Sequence, residues 1–310
     1  MPRWTLLDIP DLTGRVAVVT GGNAGLGFRS VLELARKGAR VVIACRSVDK
    51  GNAAASRIRS ALPGAQLETV ELDLTNPAGI ARFADRVASR MDRLDILLNN
   101  AGVVSLESLQ RTPAGQEMHM ATNHYGHFLV TGHLFPLLAG TAGARVVTVT
   151  SGGYRFGTID FDDLDWRKRP YHPVRSYGDS KLANLLFTRE LQSRFDAEGA
   201  TALSLAAHPG LTRTERQKSS GMGGMLSRLL ASPVDVGVRP QLRAATDPAA
   251  GRLDFYGPRL GIYGAPRRIS VVPGPATSDA LAERLWRVTE EITGFRYPAP
   301  ADSANSAPNL

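Results

Sequence analysis

The chain alternates short runs of aliphatic and β-branched residues with longer stretches that have the apolar spacing of helices. The short runs carry no polar alternation at their centres, as expected of strands that are covered on both faces. They lie at residues 16–20, 40–44, 66–72, 94–98, 145–150 and 202–206. The helical stretches lie between them, at residues 25–37, 49–62, 77–91, 114–138 and 174–198. This order predicts an α/β fold, a doubly wound parallel sheet with helices on both faces.

The pattern loosens after Pro209. Residues 213–232 are polar and rich in Gly and Met, and helical spacing returns at residues 234–245 and 280–292. The second of these helices is amphipathic, which is typical of a surface helix packed on a core. The methionines of the first segment could form a flexible apolar lid over a substrate or pack as in an ordinary loop.

No internal repeat and no interdomain linker is visible, so we expect a single domain over residues 1–297. The irregular segments at about 211–232 and 252–275 would form a substrate-binding extension, because loops on a rigid scaffold commonly carry specificity. Residues 298–310, which are rich in Pro, Ala, Ser and Asn, are expected to be a disordered tail.

The composition excludes several classes of protein. A single cysteine among 310 residues excludes an internal disulfide and a cysteine-based metal cluster. The net charge of +8 comes from scattered basic residues without a recognition motif, so we expect no nucleic-acid partner. The longest apolar region, residues 128–139, is too short for a membrane span, and the first ten residues lack the apolar segment of a signal peptide. We therefore expect a cytoplasmic protein.

A glycine-rich turn follows the first expected strand. It reads Thr20-Gly21-Gly22-Asn23-Ala24-Gly25-Leu26-Gly27 and opens the first helix. Glycines at this place let the backbone turn tightly and approach a pyrophosphate, whose charge is stabilised by the helix N-terminus. The spacing departs from the G-x-G-x-x-G pattern, and a purely structural turn is the alternative.

The end of the second expected strand distinguishes between the two nicotinamide cofactors. An acidic residue there would accept the ribose 2′-hydroxyl of NAD, but this chain has Cys45 followed by Arg46. An arginine suits a 2′-phosphate through charge-assisted hydrogen bonds. We therefore predict NADP(H) rather than NAD(H), unless Arg46 only faces solvent.

Tyr177 and Lys181 lie four residues apart on a predicted helix, so their side chains share one face. A nearby ammonium group favours the phenolate, and we expect Lys181 to lower the pKa of Tyr177 towards the working range of a general acid or base. A surface tyrosine beside a solvated lysine is the alternative.

These motifs together resemble the short-chain dehydrogenase/reductase family over roughly residues 14–250. The matching segments are residues 20–27, Asn99-Asn100-Ala101-Gly102, Tyr177-x-x-x-Lys181 and His208-Pro209-Gly210. Within the family, residues 44–46, 122–128 and 177–184 are similar to the retinol dehydrogenase and protochlorophyllide reductase branch. The resemblance implies a Rossmann-type fold that binds NAD(P).

The resemblance implies a catalytic tetrad of Asn123, Ser151, Tyr177 and Lys181. Tyr177 would exchange a proton with the substrate oxygen, and Ser151 would orient the carbonyl. Lys181 would bind the nicotinamide ribose, and Asn123 would hold a water that relays protons. Thr150 also carries a hydroxyl, and the family register alone favours Ser151. Asn123 could instead be a mid-helix residue that bonds to backbone.

The family's cofactor contacts carry over onto matching positions. The expected cofactor-binding residues are Gly21, Asn23, Gly25, Leu26, Gly27, Arg46, Asp73, Leu74, Asn100, Gly102, Tyr177, Lys181, Pro209, Gly210, Leu211 and Thr214. His124 and His127 flank one helical turn near the tetrad, without a carboxylate or cysteine at ligand spacing. They are expected to pack or form hydrogen bonds rather than to bind a metal.

The sequence thus predicts an NADP(H)-dependent oxidoreductase that interconverts a carbonyl and an alcohol on an apolar small molecule. A non-catalytic NADP(H)-binding sensor or scaffold with the same fold is the alternative. The resemblance further implies a homodimer or homotetramer formed through the long helices at residues 114–138 and 174–198.

Overall fold

A mostly parallel sheet of eight strands forms the centre of the part of the chain that the structure describes. The computed structural model describes residues 4–104, 106–210 and 233–298. The strand order is β3-β2-β1-β4-β5-β6-β7-β8, and β8 alone runs antiparallel to its neighbour. The strands are β1 Val16–Thr20, β2 Arg40–Cys45, β3 Leu67–Glu71, β4 Ile96–Asn99, β5 Arg145–Val149, β6 Leu203–Ala207, β7 Phe255–Pro258 and β8 Pro266–Ile269.

Helices cover both faces of this sheet. They are α1 Gly25–Arg36, α2 Val48–Ala61, α3 Pro77–Ala88, α4 Met118–Met120, α5 Gly126–His133, α6 Phe135–Gly140, α7 Pro173–Ala197, α8 Val234–Gly237, α9 Arg239–Thr246 and α10 Asp279–Thr293. A π-helical turn, Ala121–Tyr125, joins α4 to α5. The predicted α/β fold with a doubly wound parallel sheet is confirmed.

The inner strands are largely apolar because each face of the sheet has its own core. Along β1, Val16 and Val18 pack into one core, whereas Ala17 and Val19 pack into the other. The first core is completed by α3, α5, α6, α7 and α10, and the second by α1, α2 and α9. Alternate residues of a strand point to opposite faces, so a two-sided sheet needs apolar residues at every position.

The predicted continuous helix at residues 114–138 is wrong. A β-bridge between Arg111 and Glu117 occupies its start, and the helical part is divided into α4, the π-helical turn, α5 and α6. Helix α4 begins where the Glu117 carboxylate accepts a hydrogen bond from the Met120 backbone. Pro136 lies in the first turn of α6, where its missing N–H costs nothing.

The segment at residues 252–275 is more regular than expected, because it contains the β7–β8 hairpin. The other expected substrate segment, residues 211–232, and the expected tail from residue 299 onwards lie outside the described residues.

The strand order places a crevice at the carboxyl ends of β1 and β4. From β1 the chain winds outward through β2 and β3, then returns to place β4 on the other side of β1. The loops that follow β1 and β4 therefore separate, and ligands of open α/β sheets bind at such a reversal.

Helix α10 packs on α5 and α7. The Trp286 ring stacks on Phe187 of α7 and meets Phe128 of α5 edge-on, with ring centroids 5.7 and 4.8 Å apart. After α10 the chain turns back, and the Tyr297 hydroxyl donates a hydrogen bond of 2.8 Å to the Phe128 carbonyl. Across the described ranges, the helices are all too short or too polar to cross a bilayer.

Replacing Trp286 with alanine should destabilise the protein strongly, because Trp286 is almost fully buried between α5 and α7. We expect the free energy of unfolding to fall by about 3–5 kcal/mol, measured by urea denaturation. Leu7→Ala is the matched control, because Leu7 is 86% exposed and its loss should change stability by under ~0.5 kcal/mol. A loss below about 1 kcal/mol for Trp286→Ala would contradict this account of α10.

Candidate active site

The turn after β1 needs glycine for two different reasons. Gly21 and Gly25 have positive φ angles of 67° and 55°, which other residues adopt only with strain. A Cβ on Gly27 would come within 2.5 Å of the Gly21 carbonyl oxygen, so α1 packs directly onto the turn. No side chain caps α1 at Ala24, which leaves its first amides available to an anion. The turn therefore fits a pyrophosphate.

Thr20 holds this turn against the loop after β4. Its hydroxyl accepts hydrogen bonds from the backbone N–H groups of Asn100 and Ala101, each at 2.9 Å. The Asn100 side chain donates to the Thr20 carbonyl at 2.8 Å and accepts from Gln241 of α9 at 3.1 Å. Asn100 is one of the expected cofactor-binding residues, and its side-chain amide is bonded to protein groups in this structure. Its observed contacts stabilise the turn.

An open cleft lies at the carboxyl ends of β1, β2 and β3. Six of the residues expected to bind a cofactor line it: Gly21, Asn23, Arg46, Asp73, Leu74 and Gly102. Several others were not indicated by the sequence analysis, among them Ser47, Lys50, Thr75, Val103, Met118 and Thr122. Of the remaining expected contacts, Leu211 and Thr214 lie outside the described residues.

Two cations stand where β2 ends and α2 begins. Arg46 and Lys50 are both exposed and both line the cleft, one helical turn apart. Ser47 lies between them and caps α2, accepting a hydrogen bond from the Lys50 backbone. Cys45 is buried, donates to the Ser47 carbonyl at 3.2 Å, and has its pKa raised by burial. This end of the cleft can bind an anion and offers no acid from β2 to a ribose hydroxyl.

Ser151, and not Thr150, stands beside Tyr177. The Thr150 hydroxyl is buried and donates to the Lys181 carbonyl at 2.8 Å, so it stabilises α7. Ser151 follows β5, and its hydroxyl forms a hydrogen bond with the Tyr177 phenol. It also accepts from the Gly153 backbone at 3.2 Å, which fixes its direction.

Tyr177 keeps part of its surface exposed, but dense protein surrounds the ring. Burial raises the pKa of Tyr177, and the hydrogen bond with Ser151 offsets this only in part. The expectation that Lys181 would hold this pKa below its usual value is therefore wrong for the protein alone. The phenol stays protonated at neutral pH.

Lys181 is 4% exposed and lies one turn further along α7. Its ammonium group donates to the Val149 carbonyl at 3.0 Å and lies 5.6 Å from the centre of the Tyr177 ring. Burial lowers the pKa of Lys181 to about 8. A Cβ on Gly102 would be 3.7 Å from this nitrogen, so Gly102, which lines the cleft, lies next to Lys181.

Asn123 lies in the π-helical turn and crosses to the loop after β4. Its amide oxygen accepts from the Val103 backbone N–H at 2.8 Å, and its amide nitrogen donates to the Val103 carbonyl and the Ser180 hydroxyl. The side chain thus bonds to backbone, as one interpretation of the sequence allowed, but to the backbone of a distant segment. It links that loop to α7 next to Lys181.

A buried polar group supports Tyr177 from behind. The His119 ring meets the Tyr177 ring edge-on, with centroids 5.7 Å apart. The Ser176 hydroxyl donates to Glu117 at 2.9 Å and lies 2.7 Å from His119 Nδ1. Burial would raise the pKa of Glu117, but its hydrogen bonds, chiefly with His119, outweigh burial and lower it. This group is not apparent in the sequence, because its members are spread over two segments.

His208 shapes the turn after β6. Its Nδ1 atom accepts from the Gly210 backbone at 3.2 Å, and Gly210 has a φ angle of 70°. Burial lowers the pKa of His208 to about 4, so the ring is neutral. Within the described residues, no group of three or more potential metal ligands comes together, and His124 and His127 bond to different parts of the protein.

The comparisons with known proteins agree with this geometry. The family model for short chain dehydrogenases matches residues 15–162. Mouse retinol dehydrogenase 12 is 40% identical over 93% of this chain and 89% of its own length. Human dehydrogenase/reductase SDR family member 13 is 39% identical over 92% of this chain and 74% of its own length.

Solved structures give the same result. A crystal structure of an uncharacterised protein from Mycobacterium paratuberculosis superposes with a TM-score of 0.81 at 37% identity, covering 96% of this chain and all of that one. A short chain dehydrogenase of Shigella flexneri complexed with NADP has a TM-score of 0.63 at 23% identity, over 80% of this chain and 98% of that one. The second likeness shows the fold alone. The chain therefore belongs to the short-chain dehydrogenase/reductase family, in its retinol dehydrogenase-like branch, and is an oxidoreductase of alcohol and carbonyl groups.

Proposed function

We propose that the protein is an NADP(H)-dependent oxidoreductase that interconverts an apolar aldehyde or ketone with its alcohol and uses Tyr177 as the general acid and base. The proposal rests on the side chains that stand at the two ends of one crevice. One end presents Arg46 and Lys50, and Gly102 at the other end lies next to the Lys181 ammonium group, one turn of α7 from Tyr177.

The adenosine end supports NADP(H) by charge. Arg46 and Lys50 both line the cleft within one turn of chain, and the residue that ends β2 is the neutral Cys45. A 2′-phosphate there would receive charge-assisted hydrogen bonds from both cations and from the Ser47 hydroxyl. NAD(H) would find no carboxylate on β2 for its 2′-hydroxyl.

The bound nicotinamide supplies or accepts the hydride. Ser151 would hold the substrate oxygen beside the Tyr177 hydroxyl, because the two hydroxyls already bond to each other. Tyr177 would give its proton to that oxygen during reduction and take it back during oxidation. Its raised pKa keeps it in the protonated form that reduction requires.

The surface near the catalytic group supports an apolar substrate. Phe156 closes the short helical turn that Ser151 begins, and Val174 precedes Tyr177 on α7. Both are more than half exposed, as are Leu260 and Tyr263 in the β7–β8 hairpin. This hairpin reaches Gly210, where a Cβ would come within 2.5 Å of the Ile262 carbonyl oxygen. Exposed apolar side chains on such loops would suit an apolar ligand bound next to Ser151 and Tyr177.

A cytoplasmic location and a homodimer or homotetramer remain part of the proposal. The interface was predicted on the long helices, and α10 of the same chain covers part of α5 and α7. A dimer through these helices must use the surface that α10 leaves open. Sedimentation that finds only monomer would contradict the proposed assembly.

Tyr177→Phe should abolish turnover, because phenylalanine keeps the ring but has no proton to transfer. We expect kcat to fall by about 10²–10⁴ with unchanged NADPH affinity, measured by NADPH consumption over a panel of aldehydes and ketones and by calorimetry. Tyr256→Phe is the matched control, because it removes the same hydroxyl group at a different place. Tyr256 lies on β7, and its hydroxyl donates to the Asp254 carboxylate at 3.3 Å. Retained turnover in Tyr177→Phe would defeat the assigned role.

The same panel separates the enzyme from a non-catalytic NADP(H)-binding sensor. Wild-type protein that binds NADPH but consumes none with any substrate would favour the sensor.

Arg46→Ala and Lys50→Ala should each weaken NADPH binding without weakening NADH binding. Each change removes charge-assisted bonds to the 2′-phosphate, and we expect the dissociation constant of NADPH to rise about 10- to 100-fold. Arg59→Ala on the same helix α2 makes the same change in charge, and Arg59 bonds to the Leu67 carbonyl instead. Equal effects on both cofactors, or none, would remove the basis for NADP(H) preference.

The buried Lys181 should make stability rise with pH. Its pKa is about 8 in the folded protein against 10.5 when free, so between these values the unfolded chain binds more protons. The free energy of unfolding should therefore rise with pH over this window, relative to Lys181→Met. Denaturation curves of both proteins at several pH values from 7 to about 10 test the sign. If the difference in unfolding free energy between the two proteins stays constant or falls with pH, burial does not disfavour the charged form of Lys181.

A further inference from the structure

His127 connects the cofactor turn to the catalytic asparagine. It lies one helical turn after Asn123 and is 1% exposed. Its Nδ1 atom lies 3.0 Å from the Asn123 carbonyl oxygen, and its Nε2 atom lies 2.9 Å from the Thr20 hydroxyl. A single imidazole thus bonds to the first residue of the phosphate turn and to the π-helical turn.

The direction of both bonds follows from their partners. A carbonyl oxygen only accepts, so Nδ1 must carry the ring proton. The Thr20 hydroxyl already accepts from the N–H groups of Asn100 and Ala101, which leaves its own proton to donate. Its acceptors are His127 Nε2 at 2.9 Å and the Leu98 carbonyl at 3.3 Å, and the shorter contact is the imidazole. The ring is therefore neutral, in the Nδ1–H tautomer.

Both ends of this link are functional. Thr20 begins the turn that faces the pyrophosphate, and its hydroxyl fixes the loop after β4. Asn123 lies in the π-helical turn, where its side chain bonds to Val103 and Ser180 next to Lys181. π-helical turns are rare and are frequent at functional sites, where surrounding contacts must maintain them. The His127 ring bonds to the backbone carbonyl oxygen of Asn123, so it fixes the main chain that carries this side chain.

His124 provides the contrast on the same helical stretch. It is also almost fully buried, and burial lowers the pKa of both rings, to about 3 for His124 and about 4 for His127. Its Nε2 atom bonds to the Thr289 hydroxyl of α10 at 3.0 Å, on the side away from the cofactor turn. The two histidines are equally buried, but His124 bonds to α10, whereas His127 bonds to Thr20 and Asn123.

We propose that His127 is a positioning residue, whose imidazole fixes the Asn123 turn relative to the Thr20 turn so that Asn123 stays in register with Lys181 and the cofactor. This rests on the proposed function, because the register matters only if Lys181 and Tyr177 act on a bound cofactor. The role requires the hydrogen bonds of the ring, and filling its volume is not enough.

The test compares His127→Leu with His124→Leu. Each variant loses a buried imidazole of similar volume, so both should lose about 1–3 kcal/mol of stability. Counted per NADPH-binding site, kcat of His127→Leu should fall at least ~10-fold with little change in NADPH affinity, since small misplacements of catalytic groups have large effects on rate. His124→Leu should keep kcat within about twofold. His127→Gln, which retains a donor and an acceptor, should recover part of the lost rate.

A His127→Leu variant with the kcat of His124→Leu would overturn the inference, as would a rate that Gln fails to improve. Should His127→Leu not fold, nitrogen NMR of the wild-type histidines decides the matter. The His127 signals must show a protonated Nδ1 and an unprotonated Nε2 from pH 6 to 8, and the opposite tautomer or an imidazolium overturns it. Wild-type protein without any turnover would defeat the proposed function. The NMR result would still test whether His127 donates to Asn123 and accepts from Thr20.

Discussion

The central position of β1 is the constraint on which the site depends. Because β1 pairs with β2 on one side and β4 on the other, the loops after these strands diverge and leave an opening above β1. The glycine turn forms the floor of this opening, and the Thr20 hydroxyl fastens it to the loop after β4. Arg46 and Lys50 after β2 then line one side of this crevice, and Gly102 on its other side lies next to Lys181.

Burial, more than the neighbouring charge, sets the protonation of Tyr177 and Lys181. It raises the pKa of Tyr177 and lowers that of Lys181, so both groups are shifted towards their neutral forms. A charge brought into this site is poorly screened, since little water and few counter-charges surround it. The anionic and cationic groups of a cofactor would therefore act on these side chains more strongly than they could in solvent.

The fold could be predicted from sequence because its signals are local. The bounds of β1 were correct, and those of α1 were wrong by a single residue, because apolar runs and glycines mark both ends. The helix at 114–138 was misjudged because its division depends on Asn123 bonding to Val103, a contact that periodicity does not show. Tyr177 and Lys181 were recognisable by spacing. Lys50 and His119 were not, because the cleft that Lys50 lines and the Tyr177 ring that His119 meets are formed by segments distant in the sequence.

The late position of α10 along the chain has a consequence for biosynthesis. Phe128 and Phe187 are covered by Trp286 and Tyr297, which emerge from the ribosome about a hundred residues after Phe187. Until then the nascent chain can form the cofactor half of the sheet, but it presents an unsealed aromatic surface on the other half. This surface is the natural place for a chaperone to engage the growing polypeptide, because transiently exposed apolar surface promotes aggregation.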